Sequence, residues 1–207
     1  MIQAKGPVWH KKQKEKNVIP QGLRGIDRDA TWSYSKTDRW VYGHGSFSLV
    51  SHQIPVLGCF MWMPNKAHEA KRLWLEAGHY PKLLDQVIMD SKADDADLFQ
   101  EFQRQRRMML VTRCRKSLNK THKRRVMIKT LKKPLYKKLL EERSYKVEPM
   151  QALVKEIFDL DHCWMRGNSN NRWLFAAMGL AVQMAQLQAW KHNQSTWKIK
   201  HTVLGDP

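Results

Sequence analysis

Leu83 to Asp97 reads LLDQVIMDSKADDAD. Leu83, Leu84, Val87, Ile88 and Met89 form a short apolar run, interrupted by Asp85 and Gln86, that stops at Asp90. A run of that length with β-branched residues, closed by small polar ones, predicts a buried strand. Asp90 then stands at the carboxyl end of a strand, where open α/β sheets place their ligand sites. A plainer reading stays open beside it: Asp90 caps a turn, and Asp94, Asp95 and Asp97 charge the first turn of the next helix.

The flanking sequence extends this pattern in both directions. Upstream, WVYGHGSFSLVSH and IPVLGCFMWM, between Trp40 and Met63, are β-rich runs spaced as an antiparallel hairpin. The first alternates, with Val41, Gly43, Gly45, Phe47 and Leu49 on one side and Tyr42, His44, Ser46 and Ser48 on the other. The second is apolar almost throughout, as expected of a strand covered on both faces. Ala67 to Gly78 predicts a helix, with Ala70, Leu73, Trp74 and Ala77 at helical spacing and Gly78 as its stop. Downstream, a helix from about Asp94 to Arg104 carries Ala96, Phe99 and Phe102, and Met108 to Thr112 predicts one more strand. The resulting order is α/β: antiparallel strands first, helix-connected parallel strands after.

Residues 1–39 are basic and turn-rich, an extended segment in which Trp9, Trp32 and Tyr34 either pin the chain to the core or face a partner. Asp27 and Asp29 read there as exposed loop carboxylates. Residues 104–146 hold 17 Lys or Arg and two acidic residues, Glu141 and Glu142, a net +15. Such a block predicts a basic excursion, about residues 113–146, that follows a phosphate backbone; a disordered basic linker is the alternative. A helix is expected to begin at Pro149, since proline is favoured at a first helical position, with Met150, Leu153, Val154, Ile157 and Phe158 as its apolar stripe. Glu148 and Lys155 project along one line opposite that stripe. After a loop at Arg166 to Asn171, the helix Arg172 to Trp190 is apolar around most of its first half and is expected inside the fold.

The whole chain has 207 residues and a formal charge of +18, enough for one sizeable core and a field that attracts a polyanion. Nucleic acid is the favoured partner; a membrane surface is the weaker alternative, because the basic residues do not lie along one amphipathic helix. Three well-separated cysteines, Cys59, Cys114 and Cys163, point to a reducing compartment without structural zinc. The start lacks a signal-peptide core, and the longest apolar run, Trp173 to Val182, is too short to cross a bilayer. A cytoplasmic protein, nucleoid-associated when bound to DNA, is expected.

Phosphate-loop, dinucleotide, serine-hydrolase and zincin motifs are absent from the sequence. What remains is Asp90 at a strand end, Glu148 at an expected helix start and a large excess of positive charge. Carboxylates in a basic protein suit Mg²⁺, with Mn²⁺ as a substitute. Two such ions about 4 Å apart activate the attacking oxygen and stabilise the leaving one in phosphodiester cleavage.

VIMDSKADDADLF (87–99), RKSLNKTHKRR (115–125) and the run VEPMQ to QMAQ (147–186) resemble the catalytic domain of DDE-class insertion-sequence transposases, close to the insertion-sequence-four family. That resemblance implies a single domain over residues 1–207, an RNase H-like mixed sheet flanked by helices with a basic insertion before the last catalytic helix. Asp90 matches the family's second carboxylate and Glu148 its third. Lys155 falls at the family's lysine seven residues after the Glu, whereas Arg143 is one residue out of register and Tyr136 farther out. The family's first Asp lies on a strand leading into a segment like IQAKGPVWH (2–10), so that strand is expected to be largely missing, and catalysis weak or absent. Asp27 and Asp29 are the less favoured candidates for that Asp within the chain. The implied activity is Mg-dependent cleavage and strand transfer on double-stranded DNA, with Lys155 near the cut. Arg115, Lys116, Lys123, Arg124, Arg125 and Arg143 would hold the flanking backbone, and a homo-oligomer is allowed. The alternative is a non-catalytic basic nucleic-acid-binding protein.

Overall fold

The computed structural model describes residues 1–35, 39–54, 56–65, 69–77, 79, 85–115 and 121–205. Its elements are β1 (Ile2–Gln3), α1 (Lys11–Glu15), β2 (Thr31–Ser35), β3 (Arg39–Val50), β4 (Leu57–Pro64), α2 (Glu69–Ala77), β5 (Gln86–Ile88), α3 (Ala96–Glu101), β6 (Met109–Val111), α4 (His122–Leu131), α5 (Pro134–Ile157), α6 (Asn168–Lys191) and α7 (Lys200–Leu204). The fold is mixed α/β, with one antiparallel sheet and one parallel strand pair. The chain divides into two compact units: residues 1–67 with 146–207, and residues 68–145. No described helix is long and apolar enough to cross a membrane.

In the first unit β3 is the central strand, antiparallel to β1, β2 and β4. The expected β3–β4 hairpin is there, paired from His44↔Pro64 to Val50↔Leu57 with a register shift at Leu49/Val50. β1 reaches Gly43 and His44 from the other edge, and a Cβ at Gly43 would land on the Ile2 carbonyl oxygen, so only glycine fits there. The alternation expected for β3 needs correction: Tyr42 and His44, on its polar side, are both buried. They have partners inside, described below.

α6 covers β4 because Phe175, Met178, Val182, Ala185 and Ala189 recur at helical spacing and meet Leu57, Phe60 and Trp62. Phe60 and Phe175 stand 5.4 Å apart, and a Cβ on Gly179 would lie 3.1 Å from the Phe60 backbone, so the helix sits directly on the strand. Met150, Val154 and Ile157 of α5 complete this core. Burying such side chains stabilises by about 1.5–3 kcal/mol each. Two amides finish the strand end: Gln186 Oε1 accepts from Leu57 N at 2.8 Å, and Gln183 Nε2 donates to the Leu57 and Gly58 carbonyls at 3.1 and 2.7 Å. The opposite side of α6 departs from the expectation of burial. Trp173, Leu180, Met184 and Leu187 form an exposed stripe, because a helix lying on one strand can bury only one side.

The second unit holds β5 and β6, parallel from Gln86↔Met109 to Ile88↔Val111. Between them come a 3-10 turn at Ser91–Ala93, then α3 and a π-helical turn at Phe102–Arg106. The predicted strand around Val87 and Met89 is thus present and parallel; Leu83 and Leu84 lie outside the described residues. Trp74 of α2 meets Phe102 edge-on at 5.2 Å with the Arg106 guanidinium over its ring at 4.6 Å. Ala67 and Gly78, the bounds expected for α2, lie outside the described residues.

α5 corrects the other helix boundary. It begins fifteen residues upstream of Pro149, which lies inside it, and Pro134 takes the first helical position instead. The intervening residues are largely Lys, Leu, Glu and Arg, good helix formers that carry the helix through. Pro149 withholds one N–H from the Tyr145 carbonyl.

Candidate functional site

Asp90 follows β5 with extended backbone, at the carboxyl end of a parallel strand. It stands at the strand end and also caps the turn that follows. Its Oδ1 accepts from Lys92 N at 2.8 Å and caps the 3-10 turn, and Thr112 Oγ1 donates to its carbonyl at 2.5 Å from the end of β6. The carboxyl group is half-buried, and its second oxygen has no hydrogen-bond donor among the described residues. Beside it Lys92 donates to Glu69 at 2.9 Å. Burial pulls that ammonium down, but the Glu69 bond and charge, with Asp90 behind them, outweigh it and hold it above the ordinary lysine range.

Asp94, Asp95 and Asp97 are engaged. Asp95 caps α3, accepting from Asp97 N and Leu98 N at 2.9 and 3.2 Å. Asp94 takes a two-pronged grip from Arg124, at 3.0 and 2.8 Å, and accepts Arg115 N at 2.7 Å. Arg124 also donates to the Arg115 carbonyl at 2.9 Å, so this guanidinium ties α4 to the segment after β6. Asp97 pairs with Lys123 at 2.5 Å on the surface.

Basic side chains crowd α4 and the first half of α5. Thr121 caps α4, and its apolar side buries Met127 and Leu131, which leaves Lys123, Arg125 and Lys129 exposed. Lys132, Lys133, Lys137 and Lys138 continue this exposed series; Lys137 and Lys138 have only long pairs, 4.0 and 3.8 Å, to Glu141 and Glu142. Arg115 is exposed and Arg143 half-buried, while Lys116 lies outside the described residues. The expected basic excursion is therefore mostly two helices.

Glu148 is exposed and Lys155 half-buried, two turns apart on α5. Asp90 belongs to the second unit and Glu148 to the first. Among the described residues, no three His, Cys, Asp or Glu side chains gather as a metal-binding group. Asp90 offers the hard oxygen chemistry that Mg²⁺ prefers, with one oxygen already committed to the turn.

The first unit holds a constellation that sequence reading missed. Asp27, expected on the surface, is buried, and its Oδ2 lies 2.9 Å from His44 Nε2. Trp62 Nε1 donates to His44 Nδ1 at 3.0 Å. An indole N–H can only donate, so Nδ1 is the acceptor and Nε2 carries the proton toward Asp27. Asp27 also accepts from Gly167 N and Asp29 N, both at 3.1 Å, and its carbonyl takes the Tyr42 hydroxyl. Burial pushes the Asp27 carboxyl up, but the His44 and backbone hydrogen bonds outweigh it and hold it below its ordinary value. Burial and the Asp27 charge push Tyr42 up. Asp29 Oδ2 accepts from Asn168 N at 2.8 Å, at the start of α6. Both nitrogens of His44 are occupied inside the core, so it is no base for an incoming substrate. This is an internal clamp joining the Asp27–Asp29 loop, β3, β4 and the α6 N-terminus. No local signal marks it, since its members lie 17 to 140 positions apart.

Burial and the Asp94 charge push Cys114 up, while burial and Asp27 push Cys163 up to about 12. Comparison with protein-family models, with curated proteins and with solved structures gives no match in any of the three.

Proposed function

We propose that this chain is the RNase H-like catalytic domain of a DDE-class DNA transposase, acting on double-stranded DNA in the cytoplasm. The observation that carries this reading is Asp90 at the carboxyl end of a parallel strand, followed by a helical crossover and then by the basic helices α4 and α5. Asp90 would be a ligand of Mg²⁺, or of Mn²⁺ in its place, and Glu148 is the further ligand that the resemblance implies; the ion would supply the Lewis-acid chemistry that activates an attacking oxygen on a phosphodiester. Lys123, Arg125 and Lys129 would neutralise backbone phosphates, and each neutralised phosphate makes binding fall by about 0.9 log units per log unit of salt. Arg124 would act indirectly, since Asp94 holds it and it fixes the pose of α4. Lys155, on the same line of α5 as Glu148, would contact DNA close to the cut.

A second reading, non-catalytic nucleic-acid binding, is favoured by the exposed basic face of α4, which needs neither carboxylate. Metal separates the two. Calorimetric titration of Mn²⁺ into the wild-type chain, Asp90→Ala and Glu148→Ala should show at least a tenfold loss of affinity in each variant. Unchanged binding in both would remove the catalytic reading and leave the second.

A further inference from the structure

β2 and β3 carry four aromatic residues on one face of their ribbon. Trp32 pairs with Tyr42 and Tyr34 with Trp40, and positions two apart on a strand share a face. The inner pair serves the core: Tyr42 is buried and Trp32 partly so, packed with Trp9, Ile26 and Ala30. Trp32 Nε1 also donates to the Trp9 carbonyl at 2.8 Å. The outer pair serves no core. Tyr34 and Trp40 keep 59% and 55% of their surface in water, although their rings stand edge to face at 5.5 Å.

A cation touches this outer pair. The Lys11 ammonium lies 4.9 Å from the centre of the Trp40 ring. Lys12 and Arg39, each next in sequence to a member of that contact, are exposed. Of the carboxylates of the same stretch, Asp27 faces His44 and Asp29 the α6 N-terminus, Glu15 is exposed, and Asp38 lies outside the described residues. The patch thus combines exposed aromatic rings with positive charge. Nucleic acid matches both features, a π-face on every base and a negative charge on every phosphate.

We propose that Tyr34 and Trp40 form a stacking site for the bases of an unpaired nucleic-acid strand, with Lys11 and Lys12 holding its phosphates. A duplex hides its base faces in its own stack, so this site selects single strands, whereas the basic helices need only a backbone. The inference rests on the reading that the chain binds DNA, but on residues of the other unit from α4.

The test is fluorescence anisotropy with labelled oligothymidine and with a duplex of the same length, each over a salt series. Tyr34→Ala with Trp40→Ala should weaken oligothymidine binding about 5- to 150-fold, leave its salt slope unchanged and leave duplex binding unchanged. Tyr34→Phe with Trp40→Phe should keep single-strand affinity near wild type, because rings that stack remain. Lys11→Ala with Lys12→Ala should lower the single-strand salt slope by about 0.7 for each lost phosphate contact. Unchanged oligothymidine binding in the double alanine variant, or equal losses on single strand and duplex, overturns the stacking site while DNA binding stands. A wild-type chain that binds neither nucleic acid overturns the underlying reading and the stacking site together.

Discussion

Asp27 and Asp90 are both aspartates just outside a strand, and the structure treats them in opposite ways. Asp27 is buried, with a histidine and two backbone N–H groups on its carboxylate. Asp90 is half-buried and gives one oxygen to the turn that follows it. A buried carboxylate persists only when donors replace its water, and Asp27 has spent its capacity on that task. Asp90 keeps one oxygen without a donor among the described residues. The difference teaches that a carboxylate taken fully out of water needs a complete set of donors, whereas one left partly in water does not.

The contrast breaks most readily at Asp27. Asp27→Ala strands the His44 Nε2–H and two backbone donors, and about 4 kcal/mol of stability should go, read as a lower urea midpoint at unchanged slope. Its pH dependence follows from the depressed carboxyl. A group held below its unfolded value of 3.8 stabilises fully above that value and loses the contribution as pH falls through the folded one. The wild-type midpoint should therefore drop more steeply below about pH 4 than that of Asp27→Asn. Next in size is Arg124→Ala. It leaves Asp94, whose side chain is 4% exposed, with a single backbone donor, and should cost about 2–3 kcal/mol, seen as faster amide hydrogen exchange along α4. Lys123→Ala, the neighbouring residue but paired in open water, should cost less than about 1 kcal/mol by the same measurement. The smallest effect sharpens the comparison at its other end. Asp90→Asn keeps the turn's acceptor, so stability should stay within about 0.5 kcal/mol of wild type in urea denaturation.

Elements whose signal is local were legible in the sequence. The β3–β4 hairpin, the Val87–Met89 strand, its partner at Met109–Val111 and the helices α2 and α6 all follow from periodicity and strand composition. Asp90 was placed at its strand end for the same reason. Features that depend on distant residues were not legible. Asp27 looked like a loop carboxylate because His44, Trp62 and Gly167 reach it only through folding. Pro149 looked like a helix start because proline is as welcome there as at Pro134, and only the residues between them decide. Tyr34 was weighed together with Trp9 and Trp32 as an anchor or a contact; burial of Trp9 and exposure of Tyr34 show that the three do not share one fate.

The amides of Gln183 and Gln186 also bear on how the molecule is made. They close the end of β4 from a point up to 129 positions later in the chain. At a synthesis rate of about 5–20 residues per second, Leu57 joins the chain roughly 6–26 s before Gln186 exists to meet it. Through that interval the apolar face of β4 has no lid, and a contact of such long range is slow to close even afterwards. Aggregation of the nascent chain should therefore concentrate at Leu57–Met63, and a chaperone that holds extended apolar segments would find its target there.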